Sequence, residues 1–455
     1  MRILIRGGRM IDPSQRIDSN LDILAENGII TAVLPPSQSK ALQADQVIDA
    51  SGQVVCPGLI DIHMHEDPVN GDGHIDPCIF PAMLRMGVTT VLGGNCGENL
   101  YDPALYLDLA DRERTAVNVA LMAGHGYFRK KAGACDKYAP ITPDQLRTIR
   151  HGILEALDQG CIGISFGLRY VPGTTAKEFL EVASCAASRN RLISAHVRDD
   201  ADAVFDSVAE FAQAGELYDV PLQVSHIGSM GGFGQMPRLL CQLDAYRANG
   251  LDIAADCYPY YAFSTSIGAS TYDEGWMERY HCSYDAVEMC EGKYKGMRCS
   301  AEIFEEMRRD HPEALTVCYV MKARDIHLAY RHPSVMVGSD GLLSKGQGHP
   351  RAAGTFPHFL AEFVRSGQEI PLYDAIEKMT SFPASRIGLK KKGNLRIGSD
   401  ADILIFDPDT ICDHATFDRP MLPPTGISHV LIGGAFAIRN GNVVNDRLGR
   451  SVRRS

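Results

Sequence analysis

Between residues 59 and 340 the chain returns eight times to a short apolar run that stops at polar or glycine residues. The runs are LIDIHMH (59–65), VTTVLGG (88–94), VNVALMAGH (117–125), CIGISFG (161–167), LISAHV (192–197), LQVSHI (222–227), DIAADCY (252–258) and VMVGSD (335–340). Apolar runs of this length fit strands buried on both faces. Helical patterns separate them. In TPDQLRTIRHGILEALDQG, Leu146, Ile149, Ile153, Leu154 and Leu157 recur at helical spacing. Thr142 ahead of Pro143 supplies an N-cap with proline at the first helical position. Eight such units predict an α/β fold of the (β/α)8 TIM-barrel type, with a doubly wound sheet as the competing architecture.

The two ends of the chain carry another pattern. MRILIRGGRMID, NLDILAENGIITAVLP and QVIDASGQVVCPG alternate apolar residues with Gly and Asx turns, and so do GNLRIGSDADILIFDP and ISHVLIGGAFAIRNGNVV. They predict a small β-sandwich domain from residues 1–54 and 391–455, with the barrel over 55–390. The stretch at about 266–330, between strands seven and eight, is long for a βα connection and predicts an insertion at the barrel mouth. The final GRSVRRS reads as a loose basic tail.

Composition narrows the partners. A formal net charge of −11 lacks the basic excess of a general nucleic-acid binder. Thirteen cysteines, an odd number with no CxxC pair, argue against a secreted disulfide framework and for a reducing cytoplasm. The N-terminus has no apolar core of the signal-peptide type, and no apolar run approaches the ~20 residues of a membrane span.

DIHMHED (61–67) carries the densest chemistry. Residues i and i+2 of a strand share a face. His63 and His65 are therefore expected on one side at the C-terminal end of strand one, where barrels of this kind place their active sites. Two imidazoles there suit a zinc-type ion. Cys96 follows strand two in LGGNCG, His196 ends strand five in SAHVR, His226 ends strand six in VSHIG and Asp340 ends strand eight in VGSDG. Singly, each has a bland explanation as a small buried thiol or a satisfied core histidine. Six at the same end of predicted strands point to a metal site. His125, in AGHGYFR after strand three, fits either the lining of that site or a residue that orients a neighbour.

These residues make the sequence similar to the amidohydrolase superfamily and, within it, to the N-acyl-D-amino-acid deacylases (D-aminoacylases). The resemblance runs through DASGQVVCPGLIDIHMHED, GGNCG, GHGYFR, GCIGISFGLRYVPG, SAHVRDDAD, VSHIG, DCYPYYAFST, VGSDG, GHPRAAGTFP, KMTSFPASRIGL and GSDADILIFDP. It implies a tightly bound zinc on Cys96, His196 and His226, and a second, weaker metal position on His63, His65 and Asp340. It implies Asp340 as general base and then general acid. Ring-opening relatives carry a carboxylated lysine at the end of strand four, and GCIGISFGLRY has none. The implied partner is a small N-acyl amino acid, its carboxylate gripped by Arg351 with Tyr170, Tyr258 and Ser264. The planar fork of arginine suits a carboxylate.

One position departs from the pattern. Gly228 stands two residues after His226, in SHIGSMGG, where the family usually has lysine. A charge-assisted hydrogen bond is worth roughly 1.5–3 kcal/mol, or one to two decades of affinity. Arg169, Arg198 and Lys293 are the candidate replacements. Three functional readings therefore stand. The first is zinc-dependent hydrolysis of N-acyl-D-amino acids to a carboxylate and a D-amino acid. The second keeps the centre but takes a cyclic amide, an N-carbamoyl compound or an acylated amine. The third is a non-catalytic barrel used as a binding module. A homo-oligomer stays open at this stage.

Overall fold

A computed structural model describes residues 1–454. Eight parallel strands form the expected barrel. They are Leu59–Asp61, Val88–Gly93, Asn118–Leu121 continued by Ala123–Gly124, Gly163–Gly167, Leu192–His196, Leu222–Val224, Ile253–Cys257 and Val335–Val337. Strand eight meets strand one beyond the regular ladder. Asp340 N–H donates to the His63 carbonyl at 2.7 Å, and His65 N–H donates to the Gly341 carbonyl at 3.0 Å. The closure is thus made by the residues that carry the chemistry.

Helices pack outside the strands through their apolar stripes. Pro143–Asp158 begins with the expected cap: Thr142 and Gln145 form a reciprocal capping box, and Ile149, Ile153 and Leu157 are buried. Inside the barrel, Ile60, Ile62, Leu92, Ala120, Met122, Ile162, Leu192, Ala254 and Met336 fill the lower layers. The lower half is therefore solid, and polar chemistry is confined to the C-terminal rim.

The chain ends build two sheets. One orders Ile29–Leu34, Asp22–Glu26, Arg2–Arg6 and Gln46–Asp49. In the other, Ile403–Phe406 pairs antiparallel with Val54–Pro57, so N- and C-terminal segments share one sheet. Ile3, Ile5, Met10, Ile23, Val55, Ile403, Ile405 and Leu431 form a separate apolar cluster. The stretch between strands seven and eight holds an antiparallel sheet of Phe263–Ser266, Leu315–Cys318 and Val287–Met289. Trp276 stacks on Phe304 there at 5.2 Å between ring centroids.

Residues 449–454 of the C-terminal tail are not loose. They cross the barrel floor, where Val119 N–H donates to the Arg450 carbonyl, Val452 N–H to the Val119 carbonyl and Arg454 N–H to the Gly160 carbonyl. Arg191 Nη2 holds the Arg454 carbonyl at 2.9 Å, and Val452 packs on the inner core. Basic composition suggested a solvated tail, but backbone pairing and one apolar residue fix it. Deleting residues 449–455 should cost about 1–3 kcal/mol, from the half-buried Val452 and the lost backbone hydrogen bonds. Thermal unfolding should show a lower midpoint, with metal content per chain unchanged because the rim is untouched.

Candidate metal centre and substrate pocket

All six predicted donors meet at the C-terminal rim. One ligand atom each from His63, His65, Cys96 and Asp340 lies within 4.8 Å of the others, and so do those of Cys96, His196 and His226. Cys96 belongs to both sets. Its Sγ is 3.4 Å from His63 Nε2 and 3.4 Å from His226 Nε2. Asp340 Oδ1 is 3.6 Å from His63 Nε2 and 3.3 Å from His65 Nε2.

The local backbone explains how a rim can gather so many donors. Simple alternation from Ile60 and Ile62, which point into the barrel, would send His63 and His65 outward. The chain slips by one residue after Ile62, so Met64 packs on the outer core and both histidines turn inward. Cys96, His226 and Asp340 lie just past their strands, with φ of +53°, +34° and +49°. A non-glycine residue in this region costs of order 1–3 kcal/mol and persists where surrounding structure fixes it.

Several supporting residues were not foreseen. Asp256, near the end of strand seven, lies 3.1 Å from His63 Nδ1 and accepts the His226 backbone N–H at 2.7 Å and Gln223 Nε2 at 2.9 Å. Ser229 Oγ is 2.9 Å from His226 Nδ1. Such partners fix the tautomer and aim the other ring nitrogen at a cation. The DCYPY motif contains Asp256, and its acid on a buried strand was the available signal. His125 does not line the site: it is fully buried against Glu178, 2.8 Å away, on the outer side of the barrel wall.

The donor set fits a metal. Burial opposes ionisation of the Cys96 thiol, yet the imidazoles of His63 and His226 outweigh it and hold the thiol well below its ordinary value. Burial and neighbouring His226 push His196 down to about 4, so it is a neutral donor at physiological pH. Its Nδ1 is buried without a protein partner. One thiolate and two imidazoles suit zinc, and two imidazoles with a carboxylate suit a second divalent ion.

A small pocket opens beside these donors, bounded by Tyr170, His196, His226, Ser229, Tyr258, Ser264 and Asp340. Tyr170 packs edge-on to His196 with ring centroids 4.6 Å apart. Ser264 Oγ is buried and unpartnered. Arg351 is buried rather than at the surface: its Nη2 lies 3.0 Å from Asp340 Oδ2 and 3.4 Å from the Ser264 carbonyl. The guanidinium also sits 4.6 Å over the Tyr258 ring, while Nε and Nη1 have no protein partner.

The structure gives no replacement for the missing lysine among the three candidates. Arg198 is saturated by Glu210 and two carbonyls, Arg169 pairs with Asp199, and Lys293 pairs with Glu306. None of them lines the pocket or the wider cleft above it. Lys130 and Lys137 line that cleft instead. A Cβ on Gly228 would lie 2.8 Å from Ile326 Cδ1 and 2.9 Å from Cys257 Sγ, facing packed side chains. Gly228→Lys should therefore destabilise by roughly 1–3 kcal/mol through overpacking and leave KM unimproved. Denaturant unfolding and steady-state kinetics on the variant check both parts.

Comparisons with known proteins identify the family. The sequence profile of the Amidohydrolase family matches residues 302–438. The chain is 32% identical to an N-acyl-D-glutamate deacylase of Alcaligenes xylosoxydans xylosoxydans, over 99% of this chain and 96% of that protein. The chain belongs to the N-acyl-D-amino-acid deacylase family of amidohydrolases. Another member, a D-aminoacylase of the same organism, is 30% identical over 100% of this chain and 98% of its own. The structure of N-acyl-D-glutamate deacylase from Bordetella bronchiseptica, complexed with zinc and a phosphonate inhibitor, superposes with a TM-score of 0.88 at 29% identity, covering 99% of both chains. As a member of this family the chain is an amidohydrolase acting on amide bonds. Among the described residues, no helix is long and apolar enough to cross a membrane.

Proposed function

We propose that the protein hydrolyses the amide bond of N-acyl-D-amino acids, releasing a carboxylate and a D-amino acid, with zinc as cofactor. The observation that carries this reading is the 3.0 Å contact between Asp340 and Arg351. In an N-acyl amino acid the scissile nitrogen and the carboxylate share one carbon. A site for such a substrate needs its cation within a few ångströms of the group that moves the proton. Arg351 is so placed and keeps two donors free. An amide without a carboxylate makes no use of a buried cation there. The D configuration is taken from the relatives, whose names specify it.

Cys96, His196 and His226 would hold the tight zinc, and His63, His65 and Asp340 the weaker position. When bound, zinc supplies Lewis acidity, polarising the amide carbonyl and lowering the pKa of a bound water to about 7. Burial opposes ionisation of Asp340, but Arg351 and His226 prevail and hold its carboxyl well below the usual range. It is therefore ionised at neutral pH and able to accept the proton of the attacking water. It then delivers that proton to the departing amine nitrogen. Arg351 orients the substrate carboxylate, and the hydroxyls of Tyr170, Tyr258 and Ser264 surround the remaining polar atoms. The reading is tested by amine release from N-acetyl-D-amino acids before and after chelation. Turnover that disappears with the metal and returns with zinc supports it. Equal turnover of substrates whose carboxylate has been replaced by a carboxamide would favour the neutral-amide alternative.

A further inference from the structure

We propose that His349 is a positioning residue for Arg351, holding the arginine beside Asp340 so that its open donors face the substrate carboxylate; this rests on the deacylase reading above. His349 is fully buried, and both of its ring nitrogens are engaged. The backbone N–H of Arg351 donates to His349 Nδ1 at 3.1 Å, and His349 Nε2 donates to the Ala262 carbonyl at 3.1 Å. The imidazole thus ties the start of helix Arg351–Phe359 to the segment that supplies Tyr258 and Ser264. Those same residues complete the arginine's surroundings, through the Tyr258 ring and the Ser264 carbonyl.

The pattern of donors allows one form of the ring. Nδ1 must accept from an N–H and Nε2 must donate to a carbonyl, so the neutral Nε2–H tautomer is required. A proton on Nδ1 would face the Arg351 N–H and break the tie. Burial, helped by the nearby Arg351 charge, keeps the ring's pKa well below the ordinary value, so this form persists across the working pH range. Tyr260 and Phe417 pack edge-on against the ring at 5.0 and 4.9 Å, fixing its plane. None of the metal donors is paired with the ring; it faces Tyr258 of the pocket wall at 6.0 Å between ring centroids, the same ring that lies under the Arg351 guanidinium.

The test measures kcat and KM of zinc-loaded protein on an N-acetyl-D-amino acid and on its carboxamide, for His349→Ala, Arg351→Ala and the double variant. His349→Ala should lower the carboxylate-over-carboxamide preference about 10–100-fold, chiefly through KM, which is the range of one charge-assisted hydrogen bond. Added to Arg351→Ala it should change that preference less than ~3-fold, because the two act on one interaction. His349→Asn keeps an acceptor near Nδ1 and should retain more of the preference than His349→Ala. Multiplicative effects, a proportional loss on both substrates, or failure of both His349 variants to fold would overturn the inference and assign His349 to the fold. If the unsubstituted protein turns over no N-acyl amino acid, the deacylase reading fails and takes this inference with it. If it turns over the acid with a clear carboxylate preference that His349→Ala leaves intact, only the inference fails.

Discussion

Asp340→Asn is expected to lower kcat for amine release by about 10²–10⁴-fold, the range general acid–base catalysis contributes. The substitution keeps the shape of a residue that closes the barrel through its backbone N–H. It removes the only carboxylate among the clustered donors, so none of them remains able to take the proton from water and return it to nitrogen. It also leaves Arg351 as a buried charge without its anionic partner. An uncompensated buried charge is costly, so some loss of stability should accompany the loss of rate. Steady-state kinetics with metal content measured on the same sample separates the causes. Rate loss with at least one zinc per chain retained is the expected result, since Asp340 belongs only to the weaker position, and near-normal kcat would remove Asp340 from the proton path.

Cys96→Ala should deplete zinc. Cys96 is the one thiolate of the cluster and stands in both donor sets, so its removal weakens both metal positions. Loss of groups that merely orient a ligand already costs 10–100-fold in metal affinity, and loss of the ligand itself should cost at least about 100-fold. Elemental analysis after dialysis should find well under the unsubstituted stoichiometry, with activity falling in parallel. Backbone strain gives an internal control. At φ +53° alanine is as strained as cysteine, whereas glycine is not. Cys96→Gly should therefore unfold at a higher temperature than Cys96→Ala in metal-free buffer, yet bind zinc as poorly. Full zinc content in either variant would contradict the assignment of Cys96 as a ligand.

The fold was legible because its signals are local. Strand runs such as VTTVLGG and the Thr142–Pro143 start of helix Pro143–Asp158 need no tertiary information, and each stands in the structure where it was expected. The donors were legible because a barrel brings every strand's C-terminal end to one rim. What sequence could not reveal depends on contacts across the barrel. The one-residue slip after Ile62 reverses the simple alternation argument while leaving its conclusion intact, since both histidines shift together. Asp256 and His349 looked unremarkable because their partners, His63 and Ala262, lie far away in sequence. Nothing local marks Arg351 as a neighbour of Asp340, and only three-dimensional packing puts the two together. The tail misled because its charge suggested solvent, while its backbone pairing with the barrel floor leaves no trace in composition.

The measurement that tests the account most directly is amine release from paired N-acetyl-D- and N-acetyl-L-amino acids by the zinc-loaded protein. The panel should include acidic, apolar and neutral polar side chains. The account predicts metal-dependent hydrolysis of at least one D-substrate, with its L-enantiomer left far behind. No turnover of either enantiomer by protein with zinc confirmed in place would contradict it and move the search to cyclic amides, N-carbamoyl compounds and acylated amines.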